Sequence, residues 1–164
     1  MKCCYIKSLF SLIMLLFIVA CGDPSAQSAH PAVKIGPQDE CHLCGMIIVN
    51  FPGPKGEAYT KTSTKVKKFC STLDLFSFLL DPEYQYQIKE VYVHDMGKTP
   101  WEAPQDSDFI DARTAWYVVG SSKLGSMGKT LASFAMKKDA DRFMKKNGGK
   151  VYTYDDINIT MLRP

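Results

Sequence analysis

The sequence predicts an α+β protein: two small related ββαβ units in tandem, behind a signal peptide and a flexible tether. Three observations predict it. The order strand, strand, helix, strand can be read twice along the chain. Each reading covers about 50 residues, small for an independent core. A polar, proline-containing stretch over residues 97–108 separates the two. The chain then divides into a leader (1–20), a tether beginning at an acylated cysteine (21–39), a first unit (40–97), and a connector with the second unit (98–164).

The leader is set aside first. Lys2 and Lys7 form a short basic region, and residues 9–20 are almost wholly apolar. That run is about 12 residues, too short to span a bilayer as a helix but suited to the core of a signal peptide. It ends in Ile18-Val19-Ala20-Cys21, which resembles a bacterial lipobox. Cys21 would be acylated and become the first residue, and several acyl chains suffice for stable anchoring. Residues 22–29 have the composition of a flexible linker. Loss of Lys2 and Lys7 lowers the formal charge from +3 to +1, which excludes nucleic acid as an expected partner.

In the first unit, residues 46–50 are a branched apolar run and read as a strand. Phe51-Pro52-Gly53-Pro54-Lys55-Gly56 is a turn signal, and residues 57–62 read as the returning strand of a hairpin. Residues 69–80 read as a helix. Ser71 and Asp74 match an acidic variant of the capping box, Leu75, Phe76, Leu79 and Leu80 recur at helical spacing, and Asp81-Pro82 stops the run. Residues 88–94 alternate in part and read as the last strand.

The second unit repeats the order. Residues 109–110 and 114–120 form a strand region, and 121–130 a glycine-containing loop carrying Met127. Residues 131–136 are a strand. Residues 137–147 are a helix with Ala140, Phe143 and Met144 on one face and Gly148 as its stop. Residues 150–155 are the final strand, and 157–164 a tail.

The chain has six cysteines. Cys3 and Cys4 leave with the leader and Cys21 becomes a thioether. Cys41, Cys44 and Cys70 remain, an odd number for an exported protein. At least one is therefore free, metal-bound, or paired between chains in a homodimer.

Glu40-Cys41-His42-Leu43-Cys44-Gly45-Met46 gathers two thiols, an imidazole and a thioether. Thiolate and thioether are soft donors, and this mixture suits Cu(I). A c-type haem needs histidine directly after the second cysteine, where Gly45 stands. A structural zinc site wants a second ligand pair that the sequence does not supply. A dithiol redox centre opens a helix after a strand, whereas here a strand is expected to follow the pair. A structural disulfide between Cys41 and Cys70 is compatible with a separate functional Cys44. In extended backbone Cys44 and Met46 share a face, and that pair is the candidate Cu(I) site. A third ligand is sought at the end of the third strand, where Met96 and His94 stand two apart; Met127 is a weaker choice.

The chain resembles the NosL family, lipoprotein accessory factors of bacterial nitrous oxide reductase. The resemblance rests on the lipobox at Cys21, on Cys41-His42-Leu43-Cys44-Gly45-Met46, on Phe51-Pro52-Gly53-Pro54-Lys55-Gly56, and on Lys68-Phe69-Cys70-Ser71-Thr72. It extends through Asp111-Ala112-Arg113-Thr114-Ala115-Trp116-Tyr117-Val118-Val119-Gly120-Ser121 and Met127-Gly128. The family implies two related ββαβ units and a copper chaperone, not an enzyme. It implies a membrane anchor on the periplasmic side, in the outer or the inner membrane, and one bound Cu(I). The copper would be delivered toward the copper centres of nitrous oxide reductase, with the reductase and its associated membrane transporter complex as partners. Carried over by position, the family's ligands fall on Cys44 and Met46; Met96 and His94 come from the residues alone. The rival function is a thiol–disulfide oxidoreductase using Cys41 and Cys44.

Overall fold

The structure is a computed structural model that describes residues 29–163. The expected signal peptide and Cys21 lie outside the described residues.

The first sheet holds four antiparallel strands: β1 (Gly56–Thr60), β2 (Ser63–Phe69), β3 (Ile88–His94) and β4 (Phe109–Asp111), in the order β2-β1-β3-β4. Helix α1 (Thr72–Leu79) connects β2 to β3. The second sheet holds β5 (Trp116–Val119), β8 (Ala132–Phe134) and β9 (Lys150–Thr153), in the order β8-β5-β9. Helix α2 (Lys137–Asn147) connects β8 to β9. Between β5 and β8 lies a small hairpin of β6 (Leu124–Gly125) and β7 (Gly128–Lys129). In both main sheets the first strand of the ββαβ run is flanked by the second and the third. The α+β class expected from the sequence is the class observed.

Two strand assignments change. Residues 46–50 are not a strand: a single bridge joins Glu40 to Ile47, and Ile48–Asn50 is a 3-10 turn. Both edges of β1 are already taken by β2 and β3, so this run is not its hairpin partner. The hairpin partner of β1 is β2, Ser-Thr-Lys-Val-Lys-Lys-Phe, whose first three residues are exposed. It is an edge strand, and charged edges of this kind resist sheet-to-sheet association. Residues 109–110, read from the sequence with the strand that follows, pair with β3 and extend the first sheet. The chain passes between the sheets through the 3-10 turn Ala112–Thr114.

Helix α1 starts where its cap predicts. Ser71 Oγ accepts the Asp74 N–H at 3.1 Å, a contact whose loss costs about 1 kcal/mol. The Asp74 carboxylate does not return to the cap; it turns to two thiols instead. The helix buries Leu75, Phe76 and Phe78 in the main core, where Phe76 meets Tyr117 of β5 edge to face. Gly56 permits the approach of the helix, since a Cβ there would stand 2.6 Å from Leu75 Cδ2. Tyr117, Leu131 and Ile157 join the same core, so it runs continuously between the two sheets. A smaller core of Val118, Ala132, Phe134 and Ala140 lies under α2. Among the described residues no helix is long and apolar enough to cross a membrane.

Candidate metal centre

Three segments meet at the N-terminal end of helix α1. The first is the loop from Cys41 to Met46. The Cys41 N–H donates to the Met46 carbonyl at 2.9 Å, and the Gly45 N–H donates to the Cys41 carbonyl at 2.9 Å. Gly45 makes this reversal with φ of +74°, a conformation costly for any other residue. The His42 N–H donates to the Lys68 carbonyl at 2.7 Å and ties the loop to β2. The second segment is Cys70, the residue just after β2. The third is Asp74, in the first turn of α1.

The Sγ atoms of Cys41, Cys44 and Cys70 and a carboxylate oxygen of Asp74 all lie within 4.8 Å of one another. Cys44 Sγ is 3.5 Å from Cys70 Sγ. Cys70 Sγ donates to Asp74 Oδ2 at 3.1 Å, and Cys41 Sγ lies 3.4 Å from the same oxygen. Ser126, at the tip of the β6–β7 hairpin, donates from Oγ to Cys70 Sγ at 3.0 Å. Cys41 and Cys70 are buried, while Cys44 is partly open to solvent. Half-exposed Leu43 and Met127 stand beside it in sequence and beside Ser126 respectively.

The thiols are electrostatically unequal. The contact with Cys70 pulls the Cys41 thiol down to about 6. The same contact, with burial and the Asp74 carboxylate, pushes Cys70 well above the ordinary thiol range. Within this pair the proton therefore stays on Cys70. Burial raises the Cys44 thiol.

The structure brings together some of the residues picked out from the sequence and separates others. Cys44 is in the cluster. Met46 is packed against the main core, and its contact with the Cys44 sulfur is through its backbone. Cys41 and Cys70, offered as a disulfide pair, are free thiols that both face Asp74. His94 is fully buried elsewhere, stacked on Phe109 with centroids 4.0 Å apart. Its Nδ1 accepts the Lys55 N–H at 3.0 Å, and burial with nearby Lys55 pulls its pKa down to about 3. The neutral ring thus carries its proton on Nε2 and has no lone pair left for a metal. Met96 packs into the small core under α2, with Trp101 and Phe143. Asp74 escaped the sequence reading because its spacing from Ser71 already explained it as a helix cap.

The NosL family model matches residues 32–162. The chain belongs to the NosL family. It is 43% identical over 158 residues to the copper-binding lipoprotein NosL of Stutzerimonas stutzeri, covering 95% of this chain and 82% of that one. It is 33% identical over 151 residues to the copper-binding lipoprotein NosL of Achromobacter cycloclastes, covering 90% and 78%. Among solved structures, the crystal structure of the copper chaperone NosL from Shewanella denitrificans superposes with a TM-score of 0.79 at 63% identity. That match covers 79% of this chain and 97% of the other. The solution structure of apo-NosL from Achromobacter cycloclastes gives a TM-score of 0.51 at 31% identity, covering 65% and 87%. In this NosL-family chain the converging donors are three thiols and one carboxylate, a set weighted toward soft metals.

Proposed function

We propose that this chain is a periplasmic, lipid-anchored metallochaperone that carries Cu(I) and delivers it for assembly of the copper centres of nitrous oxide reductase. The observation that carries the reading is the convergence of three unlinked thiols, one of them open to solvent. The names of the relatives, copper-binding lipoprotein and copper chaperone, support it. With metal–thiolate bonds of about 2.3 Å, as at zinc, two sulfurs on opposite sides of one ion stand about 4.6 Å apart. The cluster, spanning at most 4.8 Å, accommodates such an ion with small side-chain rotations.

Cys44 is the ligand facing the outside, Cys70 the sulfur nearest to it, and Met46 the neighbouring thioether. Donors that are soft and few hold Cu(I) while leaving one side open, so a partner's ligands can attack before the first set lets go. A closed four-ligand shell would block that exchange. Acylated Cys21 would hold the head at the membrane, raising its effective concentration toward the reductase and the associated transporter complex. Copper is cargo here and nothing is turned over.

The test is an anaerobic Cu(I) titration of the mature chain against a chromogenic Cu(I) chelator. Wild type should bind one equivalent tightly, Cys44→Ser should lose most of the affinity, and Met46→Ala should weaken it. A Cys44→Ser protein that binds as tightly as wild type would sink the reading.

A further inference from the structure

We propose that the turn between β1 and β2, with the groove beside it, is a docking surface for anionic phospholipid headgroups. It would seat the head on the membrane that holds its anchor, with the thiols facing away. The proposal rests on the Cys21 anchor of the preceding section.

The first described residues already lie in this groove. Ala29, His30 and Pro31 line it together with Lys61, Thr62 and Lys89, and its volume is about 510 Å³. The chain is pinned there: Tyr92 Oη donates to the His30 carbonyl at 2.6 Å and Tyr59 Oη to the Pro31 carbonyl at 3.0 Å. The His30 ring stacks on Tyr59 at 4.8 Å. From Cys21 to Ala29 the chain can reach no more than about 29 Å, at up to 3.6 Å per residue. The groove is therefore the part of the head tied closest to an anchor at Cys21.

Its chemistry fits a headgroup layer. Lys61 and Lys65 stand at the turn end of β2, and residues 61–65 contain no acidic residue, while Lys67 and Lys68 lie toward the thiol end, where Lys68 pairs with Asp39. Lys61 and Lys65 have no carboxylate partner among the described residues. Lys61 Nζ instead donates to the Tyr86 carbonyl at 3.0 Å, and Tyr86 is 78% exposed. An exposed tyrosine beside unpaired lysines is the pairing found at membrane–water interfaces. Glu90, on β3 beside the groove, is occupied by His30 at 3.4 Å and Lys89 at 3.8 Å. Thr62, Ser63 and Thr64 add hydroxyl donors at the same edge.

The consequence is an orientation. The turn lies at one end of β2 and Cys70 just beyond the other. Seven strand residues span about 23 Å. A head seated by its turn would hold the thiol cluster roughly that far above the headgroups, where a partner can reach it.

The test uses the mature chain with Cys21→Ser, so that no acyl chain contributes. Sedimentation is measured with vesicles of equimolar phosphatidylglycerol and phosphatidylcholine, and with pure phosphatidylcholine. Expected is salt-sensitive binding to the anionic vesicles only. Since each lysine near such a surface strengthens partition about fivefold, Lys61→Gln/Lys65→Gln/Lys89→Gln should lose on the order of 100-fold. The same charge change on α2, Lys138→Gln/Lys145→Gln/Lys146→Gln, should lose far less. Equal binding to both vesicles, or equal losses from the two triple variants, would overturn the proposal. Cu(I) titration of the same samples is read separately. A chain that fails to bind Cu(I) yet partitions as expected sinks the chaperone reading and leaves the docking surface standing.

Discussion

Cys44 Sγ stands 3.5 Å from Cys70 Sγ across 26 residues of chain. One sulfur is held on the loop closed by the Cys41–Met46 hydrogen bond, the other at the end of β2. The pair joins the open thiol to a fully buried one. If both ligate the cargo, Cys70→Ser should lower Cu(I) affinity at least tenfold, close to the effect of Cys44→Ser. Serine keeps the size of the side chain and can still meet Asp74 and Ser126, so the thermal midpoint should move little. A chelator competition run beside a melting curve checks both. Wild-type affinity in Cys70→Ser would leave Cys44 and Met46 as the ligands.

The unequal thiols set a pH dependence. Cys44 and Cys70 are both raised, so at neutral pH each carries a proton that Cu(I) must displace. Cys41 is lowered by the proton that Cys70 offers it, a contact that ends if Cu(I) takes Cys70, so its own proton exchange is removed by measuring in a Cys41→Ser chain. Between pH 6.5 and 8, affinity should therefore rise with pH by about tenfold per unit for each raised thiol that ligates. In Cys41→Ser, with Cys44 and Cys70 both bound, the slope of log K against pH should be about two. A slope near one, from competition titrations corrected for the chelator's own protonation, would mean that only one raised thiol is used.

What the sequence disclosed about the fold follows its periodic signals. Helix α2 and strand β3 were legible because their apolar positions recur at one period. Helix α1 carried an N-cap as well. Strand β2 was hidden by its lysines, which an edge strand tolerates and a buried strand would not. The apolar run at Ile47-Ile48-Val49 looked more strand-like, but Ile48 is buried as a core plug on a 3-10 turn. At the site, the Cys41-to-Met46 loop was legible because its ligand types are adjacent. The arrival of Cys70 and Asp74 depends on β2 ending and α1 starting beside that loop, which no local pattern encodes. His94 and Met96 looked available because a strand end resembles an exposed position; burial and the Lys55 hydrogen bond decided otherwise for His94.

Glu57 supplies a pH test of the fold that does not involve copper. It sits on the central strand β1, fully buried, with Oε2 accepting the Val33 N–H at 2.9 Å. Its Oε1 has no hydrogen-bond partner among the described residues. Burial raises its pKa from 4.5 to about 7, against the lowering effects of the Val33 bond and Lys68. Between those values the folded chain keeps a proton that the unfolded chain releases. The stability that Glu57 allows is thus complete below pH 4.5 and declines as pH rises through about 7. Glu57→Gln keeps the Val33 bond and carries no charge. Relative to wild type its stability should gain little at pH 5 and about 1–3 kcal/mol at pH 8. His94, lowered to about 3, works in the opposite direction below pH 6.5. Comparing variant with wild type at each pH cancels that contribution. Denaturant midpoints at pH 5 and 8 decide it: a difference that stays constant with pH would mean Glu57 is ionised in the folded chain throughout.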